Sequence, residues 1–141
     1  MMPHTRKVIE CDMYNLTALV ADDSTVNRTL LRALLEGVGV IVTETDNGET
    51  AKDLLSSRAF DIAILDNQMP GSTGYELVKY LRCKLQSPMP VLLYTSDPGA
   101  LPNDITDFAQ VTKKGNFFAV KKWVARSLPF GGRSSYNETL H

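Results

Sequence analysis

The run Ile62-Ala63-Ile64-Leu65 leads without a break into Asp66, and Met69-Pro70-Gly71 then forces the chain to turn. Four consecutive apolar residues bounded by turn signals leave no face for water, so the run reads as a strand buried on both faces. Such a strand needs one layer of structure above it and another below. Three further candidate strands likewise end on polar residues. Leu16-Thr17-Ala18-Leu19-Val20-Ala21 ends on Asp22-Asp23, Val91-Leu92-Leu93-Tyr94 ends on Thr95, and Ala109-Gln110-Val111-Thr112 ends on Lys113. The β-branched segment Val40-Ile41-Val42-Thr43 makes a fifth strand, without a polar end of this kind.

Helical stripes lie between the strands. Ser24 can cap a helix that turns Val26, Leu30, Ala33 and Leu34 inward and closes at Gly37 and Gly39. Asn47-Gly48 opens a second helix with Ala51, Leu54 and Leu55 on one side. Leu77, Val78, Leu81 and Leu85 make a third stripe. Asn116 caps the last helix, whose apolar side carries Phe117, Val120, Trp123, Val124 and Leu128. Pro98, Gly99 and Pro102 leave little room for a helix between the fourth and fifth strands. Strand–helix alternation predicts an α/β domain, a parallel sheet with helices on both faces. Function in such sheets gathers at the carboxyl ends of the strands, where Asp22, Asp23, Asp66, Thr95 and Lys113 would meet.

Three carboxylates at one rim repel one another and require a cation or raised pKa values. An oxygen-only set with few protein ligands suits Mg²⁺; Ca²⁺ would draw more protein oxygens, and Zn²⁺ would want His or Cys. Neither His4 nor His141 stands near a motif. An aspartate can also attack phosphorus to form an acyl phosphate, with Mg²⁺ and an ammonium group spreading the charge of the transferring group. Lys113 suits that task as a compact point charge, and Thr95 supplies a hydroxyl that can follow the phosphoryl oxygens. Each residue alone has a plainer explanation. Paired aspartates favour a helix N-terminus, a strand-end threonine is usually structural, and a lone lysine is usually solvated. Their coincidence on four strand ends of one sheet is what favours a site.

Composition narrows the function classes. At 141 residues, 43% hydrophobic and 22% charged, the chain holds one domain with a sizeable core. A net charge of −1 argues against a large nucleic-acid footprint. Cys11 and Cys83 have neither metal nor redox spacing and fit a reducing compartment. No apolar run approaches the roughly 18 residues of a membrane span, and the polar start does not read as a signal peptide. The expectation is a cytoplasmic protein without membrane or direct nucleic-acid contacts.

Over residues 16–128 the chain resembles the receiver domain of two-component response regulators, the CheY-like family. The resemblance is carried by Leu19-Val20-Ala21-Asp22-Asp23-Ser24, by Asp66-Asn67-Gln68-Met69-Pro70-Gly71 with Gly74 eight residues after the aspartate, by Tyr94-Thr95-Ser96, and by Val111-Thr112-Lys113. It implies a flavodoxin-like, doubly wound, five-stranded parallel sheet in the order 2-1-3-4-5. It also implies a phosphoacceptor domain in which Asp66 takes a phosphoryl group from a histidine kinase or histidine phosphotransfer domain and switches the binding of an unknown downstream protein. Asp23 and Asp66 would hold Mg²⁺ directly with the backbone carbonyl of Gln68, while Asp22 acts through water. Thr95 would be the switch hydroxyl and Lys113 the partner of the phosphoaspartate. Such a domain catalyses only its own phosphorylation and dephosphorylation. Residues 1–15 are expected to be a leader and residues 129–141 a tail or linker stub.

The sequence departs from that family in three places. Gln110 stands where an aromatic residue usually precedes the lysine by three positions, with Phe108 a candidate substitute. Lys114 follows where proline is usual, so a trans bond and a rearranged loop are expected. Thr95 to Lys113 spans only 18 positions, which leaves the intervening helix short, irregular or absent. These departures sustain an alternative, a receiver-like interaction module fixed in one state. A metal-dependent phosphatase with an aspartyl nucleophile is disfavoured, because Gln68 occupies the place of its usual second carboxylate.

Overall fold

Alternation along the strands divides the apolar residues between two cores, one on each face of a single sheet. A computed structural model describes residues 15–129, and the expected leader and tail lie, apart from Asn15 and Pro129, outside the described residues. The elements are β1 (Thr17–Ala21), α1 (Thr25–Glu36), β2 (Ile41–Thr45), α2 (Gly48–Ser57), β3 (Ile62–Leu65), α3 (Gly74–Lys79), β4 (Val91–Thr95), β5 (Gln110–Lys113) and α4 (Phe117–Ser127). All strand pairs are parallel and the order is β2-β1-β3-β4-β5, the expected flavodoxin-like topology. Leu19, Ala21, Ala63, Leu65, Val91 and Leu93 pack beneath α2 and α3. Their neighbours Ala18, Val20, Ile62, Ile64, Leu92 and Tyr94 pack beneath α1 and α4. No helix among the described residues is long and apolar enough to cross a membrane.

The helix ends follow their sequence signals. Ser24, Asn47, Thr73 and Asn116 each accept a backbone N–H of the first turn, and Thr73 with Glu76 completes a capping box. Two stripes differ from expectation. In α1 the buried residues are Leu31 and Leu35, whereas Val26 is 67% and Leu30 44% exposed. The cap sets the helix so that the Asn27, Leu31 and Leu35 row faces the sheet, and the apolar row beside it is left in water. Leu85 is also exposed, because α3 runs on as a π-helical turn over Tyr80–Lys84. The wider turn rotates Leu85 off the Leu77, Val78 and Leu81 stripe.

Between β4 and β5 stand only two 3₁₀ turns, Pro98–Ala100 and Asn103–Asp107. They keep Leu101 and Ile105 in the α2/α3 core. This is the shortened connection that the spacing predicts.

Candidate functional site

The acidic residues meet because β1 and β3 are neighbours of equal register. Ala21 pairs with Leu65, so Asp22 and Asp66 leave the sheet side by side, and the Asp66 N–H donates to the Ala21 carbonyl at 2.8 Å. Asp22 is fastened from the other side. Its N–H donates to the Thr45 carbonyl at 3.1 Å, and the Asp22 carbonyl accepts from Arg28 Nη1 at 2.7 Å. Arg28 Nε in turn pairs with Glu44 at 3.0 Å. Ligand oxygens of Asp22, Asp23 and Asp66 all lie within 4.8 Å of one another. Asp22 and Asp66 are buried and Asp23 is exposed, which gives the cluster a wet mouth and a dry floor.

The cation at this floor is Lys114, and the expectation of Lys113 is corrected. Lys114 Nζ lies 3.0 Å from Asp66 Oδ2 and 3.4 Å from Asp22 Oδ2. Lys113 is exposed and makes no ion pair among the described residues. Alternation is the reason. Val111 and Lys113 share one side of β5 and Thr112 the other, and Lys114 continues with Thr112. The register persists past the strand end, since the Lys114 N–H donates to the Thr95 carbonyl at 2.9 Å. All described peptide bonds here are trans. The available sequence signal was Gly115, a turn residue standing directly after Lys114 where the family places proline.

Thr95 ends β4 and is 1% exposed, and its hydroxyl accepts the Asp97 N–H at 3.3 Å. The Gln68 N–H donates to Asp66 Oδ1 at 3.0 Å, and the Ser24 N–H to Asp22 Oδ1 at 2.9 Å. Phe108 is no substitute for the missing aromatic. Gln110 pairs with Leu92 and Lys113 with Thr95, so Phe108 lies at the amino end of the sheet, more than a strand's length from the hydroxyl. Val111 occupies the position three before Lys114.

Charge at the site is tightly counterpoised. Burial pushes the Asp66 pKa above the ordinary carboxylate value; the Gln68 N–H and the Lys114 ammonium pull it back, and the charge of Asp22 adds to the rise. Burial depresses Lys114, but its contacts with Asp66 and Asp22 outweigh that, and its pKa ends above the ordinary lysine value. Asp22 Oδ2 is buried without a hydrogen-bond partner among the described residues. That oxygen has the Lys114 ammonium at 3.4 Å as an ionic neighbour but accepts no hydrogen bond, and with two further carboxylates beside it and an opening on the Asp23 side it fits a hard divalent cation that retains water.

Known proteins resemble this chain in sequence and in fold. A family model described as the response regulator receiver domain matches residues 18–127. The chemotaxis protein CheY of Pseudomonas aeruginosa is 34% identical over 112 residues, 78% of this chain and 87% of that protein. The virulence sensor protein BvgS of Bordetella pertussis is 42% identical over 74 residues, 52% of this chain, but the match spans only 6% of BvgS. Among solved structures, the response regulator TrrA of Thermotoga maritima, in complex with Mg²⁺ and BeF, superimposes with a TM-score of 0.69 at 30% identity. The alignment covers 80% of this chain and 99% of TrrA. The receiver domain of Ssk1, solved with the phosphotransfer protein Ypd1 of Saccharomyces cerevisiae, shares the fold at a TM-score of 0.72 and 16% identity, over 83% of this chain and 91% of that one. The sheet order, the acidic rim and a match running almost from the first strand to the end of the last helix agree, and the chain belongs to the response regulator receiver domains.

Proposed function

We propose that Asp66 is the phosphoacceptor, taking a phosphoryl group from the phosphohistidine of a kinase or phosphotransfer protein. The observation that carries this reading is the convergence of Asp22, Asp23 and Asp66 with one half-buried ammonium group, Lys114. A carboxylate oxygen of Asp66 bonds to phosphorus as the P–N bond breaks, and the imidazole leaves with the pair of electrons. Asp22, Asp23 and Asp66, with the backbone carbonyl of Gln68, would hold Mg²⁺. When bound, the metal supplies positive charge that screens the carboxylates and the transferring phosphoryl oxygens. Lys114 neutralises the carboxylates from beneath and is placed to pair with the phosphoaspartate. Thr95 offers the hydroxyl that a phosphoryl oxygen can recruit from the Asp97 N–H.

The donor's docking face is supported by the exposed apolar row of α1. Val26 and Leu30 in α1, and Phe118 (73% exposed) in the first turn of α4, belong to helices that start at the carboxyl rim beside Asp66. An apolar groove of about 650 Å³ between Leu30, Leu34, Phe117 and Val124 continues this face away from the rim.

The output would leave through α3. Asn67 Oδ1 accepts the Tyr75 N–H at 2.9 Å, and a Cβ on Gly74 would stand 2.7 Å from the Asp66 carbonyl, so α3 begins directly against the acceptor's backbone. The Tyr75 hydroxyl donates to Asp104 at 3.1 Å and Lys79 Nζ pairs with Asp104 at 3.3 Å, while the Lys79 ammonium lies 4.5 Å over the Phe108 ring. The segment that replaces the usual helix is thereby latched to α3.

The test is incubation with Mg²⁺ and acetyl phosphate or beryllofluoride, followed by Trp123 fluorescence, with Asp66→Asn as control. A saturable change in the wild type and none in the variant is expected. Equal labelling of Asp66→Asn would overturn the acceptor assignment. No response at millimolar Mg²⁺ would favour the module fixed in one state, a reading supported by the absence of an aromatic at Val111.

A further inference from the structure

Receivers place proline after the lysine that faces the acceptor; here Gly115 takes that position and turns the chain by another means. Its φ is +95°, in the left-handed region that favours glycine, and a Cβ there would touch nothing within 4 Å. Backbone conformation, not crowding, is what requires glycine. The Gly115 N–H donates to the Tyr94 hydroxyl at 2.7 Å. The preceding N–H, that of Lys114, donates to the carbonyl of Thr95 at 2.9 Å. Two successive peptide groups on either side of the Lys114 α-carbon are therefore held by two successive residues of β4.

Tyr94 is fully buried, and its ring packs against Phe117 with centroids 6.3 Å apart. A buried phenol is costly unless its oxygen finds a partner, and a leucine would fill a core position without that constraint. The partner here is the amide that follows the lysine. We propose that Tyr94 is a positioning residue of the phosphoryl site: its hydroxyl fixes the turn after Lys114 and so aims the ammonium at Asp66 and Asp22, in place of proline. This rests on the reading of Lys114 as the cation that serves Asp66. Lysine has a long flexible stem, so a displaced α-carbon relocates Nζ relative to two carboxylates that it now meets at 3.0 and 3.4 Å.

Tyr94→Phe tests this, since it removes one oxygen and keeps the ring against Phe117. In the metal-free protein, amide exchange at Gly115 accelerates and the Lys114 side-chain NMR signals move toward those of solvated Lys113. With saturating Mg²⁺ and acetyl phosphate, phosphorylation slows about tenfold while the apparent Mg²⁺ Kd changes less than about twofold. The slowing disappears in a Lys114→Ala background, because both substitutions act on the same ammonium. If Tyr94→Phe leaves the Lys114 signals unchanged, or slows phosphorylation equally without Lys114, the proposal is overturned and the hydroxyl is merely structural. Should Tyr94→Phe fail to fold, Gly115→Ala strains the same turn and must produce the same Lys114 shift. The signals of the metal-free protein decide the role of Tyr94 independently of phosphorylation. A Lys114→Ala variant phosphorylated at the full rate refutes the role given to the lysine instead.

Discussion

Lys113 and Lys114 are adjacent and chemically identical, so exchanging each for alanine isolates geometry from composition. Lys114 Nζ lies 3.0 Å from an Asp66 oxygen whose side chain is 1% exposed, and the lysine itself is 20% exposed. At an effective dielectric constant of about 20, one such contact is worth about 5 kcal/mol of Coulomb attraction, part of which is offset by desolvation of the ammonium. Removing one partner of a buried pair costs about 3–5 kcal/mol, and the wet mouth at Asp23 puts the expected loss near the lower figure. For a domain of this size, about 3 kcal/mol lowers the Tm by roughly 10 °C. Lys113→Ala is expected to stay within about 0.5 kcal/mol of wild type, since that side chain is exposed and unpaired among the described residues. Urea denaturation in a chelator at pH 7.5 measures both losses. Millimolar Mg²⁺ then recovers more stability in Lys114→Ala than in wild type, because a second cation replaces the missing one. Equal losses for the two variants, or less than about 0.5 kcal/mol for Lys114→Ala, refute the placement of the lysine.

Asp66→Asn is expected to stabilise the metal-free protein by on the order of 1 kcal/mol at pH 7.5. Burial raises the folded pKa of Asp66 above its unfolded value, so the penalty is absent below the unfolded pKa and complete above the folded one; denaturation at pH 4 must show a smaller gain. Glu44→Gln tests the opposite sign. The Arg32 hydrogen bond, against burial and with Arg28, lowers the Glu44 pKa, so its contribution is present above the unfolded value and vanishes as pH falls through the folded one. The loss at neutral pH should be about 1 kcal/mol or less, since the Arg32 partner is largely exposed, read by chemical denaturation across the acid range. Tyr75→Phe and Asp104→Ala should leave beryllofluoride-induced NMR shifts at Asn67 and Gln68 in place and abolish those at Ile105 and Phe108. Undiminished shifts at Phe108 would show that the signal does not pass through this latch.

The sheet was legible because β1, β3 and β4 are short, mostly apolar runs with a chemical end and β2 is β-branched, and such patterns need no tertiary information to be read. The acidic rim was legible for the same reason: Asp22, Asp23 and Asp66 follow their strands directly, so assigning the strands assigns the carboxylates. The fate of Leu30 was not. A helix face is set by where the cap fixes the first turn, and two apolar rows a residue apart in α1 satisfy the same period. Only contact with the sheet tells Leu31 from Leu30. Leu85 was lost to the π-helical turn, which has no sequence signature comparable to a cap.

The misplaced lysine has the deepest cause, because β5 is an edge strand and alternation there carries little hydrophobic signal. Gln110 is exposed, Val111 half-buried and Lys113 exposed, so the sequence offers only Thr112 to mark the inward side. The phase is also marked at the far end of the segment, where the Lys114 N–H donates to the Thr95 carbonyl and the Gly115 N–H to the Tyr94 hydroxyl. The register of β5 and the identity of the lysine that reaches Asp66 are one structural decision. A single residue of slip would turn Lys113 inward and send Lys114 to solvent. It would also break the Gly115–Tyr94 bond and leave the phenol buried without its partner. The hydroxyl of Tyr94 therefore selects between two adjacent lysines that composition cannot distinguish.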